Sequence, residues 1–160
     1  SERDVPPAQS FEPLFSAPPY ALLSKSDAAS QLGSITFEQL SKKPMIMLDL
    51  PYTRDYFLEL FRARGLEPEL SHSTRSSEIA QALVEGDFGY TLLNIQPRTY
   101  SAKDSRFRAI PISDSTDVPI FGIATLGNLR QPKNVRSFIK ICTQLRDEGV
   151  FDGFTVTVPT

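Results

Sequence analysis

The stretch Met45-Ile46-Met47-Leu48-Asp49-Leu50-Pro51-Tyr52-Thr53-Arg54-Asp55-Tyr56-Phe57 decides how the chain is read. Its first half is apolar except at Asp49, the pattern of a strand covered on both faces. Pro51 ends that run. Tyr56, Phe57, Leu60 and Phe61 then recur at helical spacing, and Gly65 stands where such a helix would stop. The same order returns downstream. A strand over 69–72 meets the turn Ser73-Thr74-Arg75-Ser76-Ser77. A helix over 78–85 follows, with Ile79, Ala80, Leu83 and Val84 on its apolar stripe, and Gly86 ends it. A third strand over 89–94 closes the unit. Strands alternating with helices predict a parallel sheet, because a parallel crossover needs a helix-sized connection. Ligands of such sheets bind at the carboxyl ends of the strands, where helices begin. There this sequence places its Thr, Ser and Arg residues, which predicts a small-molecule-binding lobe.

Bulk properties narrow the field. The chain has 160 residues, enough for one domain or for a domain with an appended piece. A net charge of -2 gives no basic face for nucleic acid. No apolar run reaches the roughly 18–20 residues of a membrane span. The start, Ser1-Glu2-Arg3-Asp4, has neither the basic start nor the apolar core of a signal peptide. Cys142 is the single cysteine and His72 the single histidine, so an intrachain disulfide is impossible and Cys/His metal ligation has no partners. A reducing, cytoplasmic setting is the expectation.

Outside the central unit, residues 1–19 carry five prolines and read as an extended connector. Residues 20–24 read as a short strand, and 25–34 as a polar loop. Thr36 and Gln39 have capping-box spacing, which predicts a short helix to about Lys42. Residues 106–113 and 119–126 read as two further strands. The clearest helix covers 134–146, with Val135, Phe138, Ile139, Cys142 and Leu145 on its apolar face, Pro132 ahead and Gly149 behind. Residues 154–158 are β-prone.

Several residues could carry chemistry. Thr53 can cap the helix start or turn its hydroxyl to a ligand, and Arg54 adds a charge whose geometry suits a carboxylate. Thr74 and Ser76 pose the same choice between cap and contact. Asn94, at the end of a strand, can line a cleft or cap a turn. Arg98, Lys103, Arg106 and Arg108 form a loose basic stretch without the aromatic interleaving of base stacking. His72 has no acid or nucleophile beside it in sequence, and Cys142 sits on an apolar helix face. Phosphate loop, nucleophile elbow, dinucleotide fingerprint and metal cluster are all missing, which argues against an enzyme.

Residues 13–145 resemble the later part of the effector-binding domain of LysR-type transcriptional regulators. The strand at Tyr20–Ser24 with Ile35-Thr36-Phe37-Glu38-Gln39-Leu40 is similar to that family's strand, loop and short helix. Leu48-Asp49-Leu50-Pro51-Tyr52-Thr53-Arg54-Asp55-Tyr56-Phe57 resembles the ligand-facing turn and helix of one of its branches. Ser76-Ser77-Glu78-Ile79-Ala80-Gln81-Ala82-Leu83-Val84-Glu85-Gly86-Asp87-Phe88-Gly89-Tyr90-Thr91-Leu92-Leu93-Asn94 is similar to a further segment of the family. The resemblance implies an α/β fold of the periplasmic-binding-protein type II kind, a Rossmann-like mixed sheet flanked by helices. It assigns residues 1–19 to a connector from the first lobe, 20–113 to the second lobe, 114–148 to a returning strand and helix of the first lobe, and 149–160 to a tail. It implies effector contacts at Pro51, Tyr52, Thr53, Arg54, Thr74 and Asn94, the last standing where many members have proline.

The resemblance also implies a bacterial regulator that works as a dimer or higher oligomer. It would sense a small carboxylate or amino-acid-like effector, without cofactor, metal, catalysis or membrane contact. DNA would be bound only through a winged helix-turn-helix that this sequence does not contain. The competing expectation is an extracytoplasmic solute-binding protein of the same fold, used in uptake. With the opening of the first lobe missing, the strand at 119–126 and the helix at 134–145 are expected to pair with another copy or to be disordered. Each large side chain left fully exposed would otherwise cost roughly 1.5–3 kcal/mol.

Overall fold

The computed structural model describes residues 5–6, 9–96, 106–116, 118–126 and 131–158. Strands β2 (Tyr20–Ser24), β3 (Pro44–Leu48), β4 (Glu69–Thr74), β5 (Thr91–Leu93) and β6 (Phe107–Pro111) build the main sheet. Strands β3 and β4 run parallel, while β2 pairs antiparallel with both β5 and β6. A parallel bridge between Met45 and Tyr90 joins the two groups. There Ile46 N–H donates to the Tyr90 carbonyl at 2.7 Å and Tyr90 N–H to the Pro44 carbonyl at 3.0 Å. The order is therefore β4-β3-β5-β2-β6. The sheet is mixed, as the family resemblance implies, and not all-parallel as the strand–helix alternation alone predicts. The physical reason is β2, which enters from the opposite direction and takes long-range partners on both sides.

Helices α1 (Phe37–Ser41) and α2 (Thr53–Arg62) cover one face of this sheet, over a core of Leu23, Met45, Met47, Phe57, Phe61 and their neighbours. Thr36 and Gln39 form the predicted capping box of α1. Helix α3 (Ser77–Glu85) covers the other face through Ala80 and Val84, over Leu22, Ile46 and Leu93. Arg64, just past α2, lies 4.4 Å over the Phe37 ring and donates to the carbonyl of Leu60 at 2.7 Å, fastening α2 to α1. Among the described residues no helix is long and apolar enough to cross a membrane.

A second, two-stranded sheet lies outside this lobe. Strand β1 (Gln9–Ser16) pairs antiparallel with β7 (Ile120–Leu126), with a bulge between Pro13 and Phe15. The stretch read as a connector thus contains a paired strand, and Pro13 is tolerated at the bulge, where a strand can lack a donor. Helix α4 (Lys133–Asp147) packs on β1. Arg146 ties the two together, donating to Glu12 at 2.9 Å and to the Pro13 carbonyl at 2.8 Å. For β7 the expectation that it must pair with another copy or lack order is corrected, because β1 of the same chain supplies a partner strand. Part of the apolar face of α4 stays open, with Phe138 58% exposed.

The β-prone segment 154–158 forms no strand. A 3-10 turn over Asp152–Phe154 precedes it, and Phe154 accepts a hydrogen bond from Gln96 N–H at 2.8 Å. Phe15 stacks on Phe121, Phe151 and Phe154, with ring centroids 5.4–6.2 Å apart. These rings seat the chain's end on the crossover strands instead of a sheet edge.

Candidate functional site

Because β3, β4 and β5 run the same way, their carboxyl ends lie at one edge of the lobe. The entry to β2 lies there too, since Tyr20 is paired with Leu93. Between this edge and the start of β7 opens a cleft of about 500 Å³. Pro51, Tyr52, Thr53 and Asn94 line it from the lobe, and Pro119 and Phe121 line it from the crossover. A smaller cavity of about 310 Å³ adjoins it on the far side of Pro51 and Tyr52 and includes Asp49, Arg54 and Arg75.

The turn leading into α2 is shaped by an unusual backbone. Thr53 N–H donates to the Leu50 carbonyl at 3.1 Å, which closes a four-residue turn with proline in its second place. Tyr52, in the third place, has φ 65°. A type II turn demands a positive φ there, and glycine or asparagine normally supplies it. A tyrosine so placed is strained, and the residue is 74% exposed between the two cavities. Tyr52, not Thr53, is the residue flanking the helix, and it makes no side-chain cap.

The sequence-predicted residues therefore separate. Pro51, Tyr52, Thr53 and Asn94 come together in the cleft. Arg54 turns to the smaller cavity, where Asp49 lies 3.7 Å from its guanidinium. Thr74 lines neither cavity, and its hydroxyl accepts from Ser76 N–H at 3.2 Å. Ser76 caps α3, accepting from Ile79 N–H at 3.3 Å and donating to Glu78 at 2.7 Å. That hydroxyl, with the backbone amide of Glu78, holds the Glu78 carboxyl below its ordinary value. Asn94 donates its side-chain amide to the Ala17 carbonyl at 2.9 Å and keeps its oxygen for another donor.

Sequence reasoning missed Asp55, Tyr56, Glu59 and Arg62, which form the wall that α2 presents to the cleft. Tyr56 reads in sequence as part of the buried stripe, but it is only half-buried and faces this opening, while Phe57, Leu60 and Phe61 carry the core. Positions 55, 59 and 62 do share a helical face, a clue available from spacing alone. The basic residues Arg98 and Lys103 lie outside the described residues, and Arg106 and Arg108 are exposed. His72 sits on exposed β4, edge-on to Phe88 at 5.4 Å. Among the described residues no cluster of three or more His, Cys, Asp or Glu could hold a metal ion.

The family model described as the LysR substrate binding domain matches residues 2–146. The chain belongs to the LysR substrate binding domain family. Solved structures agree. HinK, a LysR family transcriptional regulator from Pseudomonas aeruginosa, is 26% identical with a TM-score of 0.79, over 89% of this chain and 50% of HinK. A putative LysR family transcriptional regulator, the PA01 protein from the same organism, is 26% identical with a TM-score of 0.81, over 91% of this chain and 54% of its own. The CcmR regulatory domain of Synechocystis PCC6803, solved in complex with 2-PG, shares the fold at 15% identity and TM-score 0.78, over 94% of this chain and 72% of that one. This LysR-family chain thus spans about half the length of the first two. No curated protein matches it.

Proposed function

We propose that this chain is the effector-sensing part of a LysR-type transcriptional regulator, with the effector held in the cleft between the α2 turn and the crossover strand β7. One observation carries the reading. The cleft joins two pieces of chain that are distant in sequence, the lobe edge at Tyr52 and Asn94 and the crossover at Pro119 and Phe121. A ligand touching both favours one relation between them, which is how binding biases a two-state element. The CcmR regulatory domain, whose fold this chain shares, was solved in complex with 2-PG, and the family match favours this reading over uptake. DNA contact through a winged helix-turn-helix outside this sequence, self-association as a dimer or higher oligomer, a cytoplasmic setting and the lack of catalysis complete the proposal.

A thermal-shift screen of small metabolites tests it. A ligand at 100 times its dissociation constant stabilises by about 2.7 kcal/mol. The expected hit weakens in Thr53→Ala and moves the amide signals of Tyr52 and Phe121 together. A hit that leaves those two signals still places the ligand elsewhere and overturns the reading.

A further inference from the structure

The cleft's lining points to the chemistry of its occupant, on the reading that the cleft is the effector site. Three charged side chains line it, Asp55, Glu59 and Arg62, so carboxylates outnumber cations. None of the three makes an ion pair or side-chain hydrogen bond with a described residue. The features that would attract a simple anion are committed elsewhere. Arg54 faces Asp49 outside the cleft. The amides of Thr53 and Arg54 at the start of α2 both donate to the Leu50 carbonyl, at 3.1 and 3.3 Å. The start of α3 is closed by Ser76 and Glu78.

The spacing along α2 sets the scale. At about 1.5 Å of rise per residue, Asp55 and Glu59 lie about 6 Å apart along the axis, and Arg62 lies about 4.5 Å beyond Glu59. An ammonium group between the two carboxylates reaches both, and a carboxylate two bonds away from it reaches Arg62. Beside the polar Thr53 and Asn94, the remaining lining is aromatic and apolar, chiefly Tyr52, Tyr56 and Phe121, with Pro119 opposite α2. Such faces take a planar ring, and tyrosine faces also favour a nearby cation.

We infer that the effector is an aromatic compound bearing an amine, its ammonium held by Asp55 and Glu59 and its ring among Tyr52, Tyr56 and Phe121. An aromatic α-amino acid is the form that engages Arg62 as well.

The test is an NMR titration of the 160-residue chain with four probes. L-phenylalanine carries both charges and a ring, phenethylamine lacks the carboxylate, 3-phenylpropanoate lacks the amine, and L-alanine lacks the ring. The amides of Tyr52, Asn94 and Phe121 are expected to move with the first two probes. Binding of 3-phenylpropanoate and L-alanine is expected to be about tenfold weaker or absent, in line with loss of one charge-assisted hydrogen bond or of the ring. E59Q is expected to weaken both amines about tenfold and to leave 3-phenylpropanoate unchanged. Tightest binding by 3-phenylpropanoate, or E59Q without effect on the amines, overturns the amine class while the cleft remains an effector site. A panel of neutral and anionic aromatics and sugars is run alongside. If no compound of any charge moves those amides, the amine class and the effector reading fall together.

Discussion

Asn94 donates its side-chain amide to the carbonyl of Ala17 at 2.9 Å, so a residue of the cleft also fastens the chain that crosses from β1 into β2. Ala17 is fully buried, and its own N–H donates to the Pro119 carbonyl at 2.9 Å. The end of β5, the entry to β2 and the approach to β7 therefore meet at one point. Asn94→Ala removes a donor from a buried carbonyl and is expected to lower stability by about 1–2 kcal/mol. Asn94→Asp sets a carboxylate against that carbonyl and is expected to cost more. Urea unfolding of the two variants checks the order. An unchanged midpoint for both would mean that the contact does not hold the crossover.

Tyr52 is predicted to trade stability for recognition. Its left-handed backbone costs a non-glycine residue about 1–2 kcal/mol, whereas the extra freedom of an unfolded glycine costs about 0.5–1 kcal/mol. With the residue largely exposed, little packing is lost by truncation. Tyr52→Gly is thus expected to raise stability slightly, by about 0.5–1 kcal/mol, while weakening effector binding. Thermal unfolding and a ligand titration of the same variant read the two effects. A destabilised variant would show that the turn does not strain the tyrosine, and one that binds as well as the parent would show that Tyr52 has no part in recognition.

The helix starts and stops were legible because their causes are local. The Thr36–Gln39 box, Ser76 before Ile79, and Gly65 and Gly86 after their helices each act within a few residues. What sequence reading lost was set at long range. Residues 9–16, inside the proline-rich opening, become a strand because β7, more than a hundred residues later, offers an edge. The antiparallel run of β2 depends on partners 69 to 91 residues away. At the site, Arg54 looked like the anion ligand because nothing local shows that Asp49 takes it. Asp55, Glu59 and Arg62 look like a solvated helix face until Pro119 and Phe121 arrive opposite them.

Ser76 links a helix cap to pH. Its hydroxyl accepts from Ile79 N–H and donates to Glu78, whose carboxyl is held below its ordinary 4.5, first by Ser76 and then by its own backbone amide. A folded-state value below the unfolded one gives stability that is present above pH 4.5 and is lost as pH falls through the lower, folded value. Glu78→Gln is therefore expected to flatten the acid limb of the stability curve without changing the neutral plateau greatly, because the side chain is exposed. Ser76→Ala is expected to flatten the same limb and also to cost about 1 kcal/mol at pH 7 through loss of the cap. Thermal unfolding from pH 3 to 7 separates the two variants (the range brackets the usual carboxylate values of about 3.9–4.3). An acid limb unchanged in both would remove Glu78 from the pH response.

Gly122 tests whether the crossover and α4 form a unit of their own. It faces β1 so closely that a Cβ there would run into the Glu12 carbonyl and the Phe11 ring. Backbone cannot swing aside as a side chain can, so Gly122→Ala is expected to open the β1–β7 ladder at a cost of about 1–3 kcal/mol or more. Glu12 also receives Arg146 from α4, so displacing β1 loosens that helix too. The main sheet shares no ladder with β1 or β7. Hydrogen exchange should then show amides of β1, β7 and α4 losing protection while those of β2, β3 and β5 keep theirs. Because Pro119 and Phe121 are the crossover's contribution to the cleft, the same variant should bind effector more weakly although Tyr52, Asn94 and α2 are untouched. Uniform loss of protection would instead make the chain one cooperative unit. Retained protection throughout would mean that the glycine's close approach is relieved without cost to the ladder.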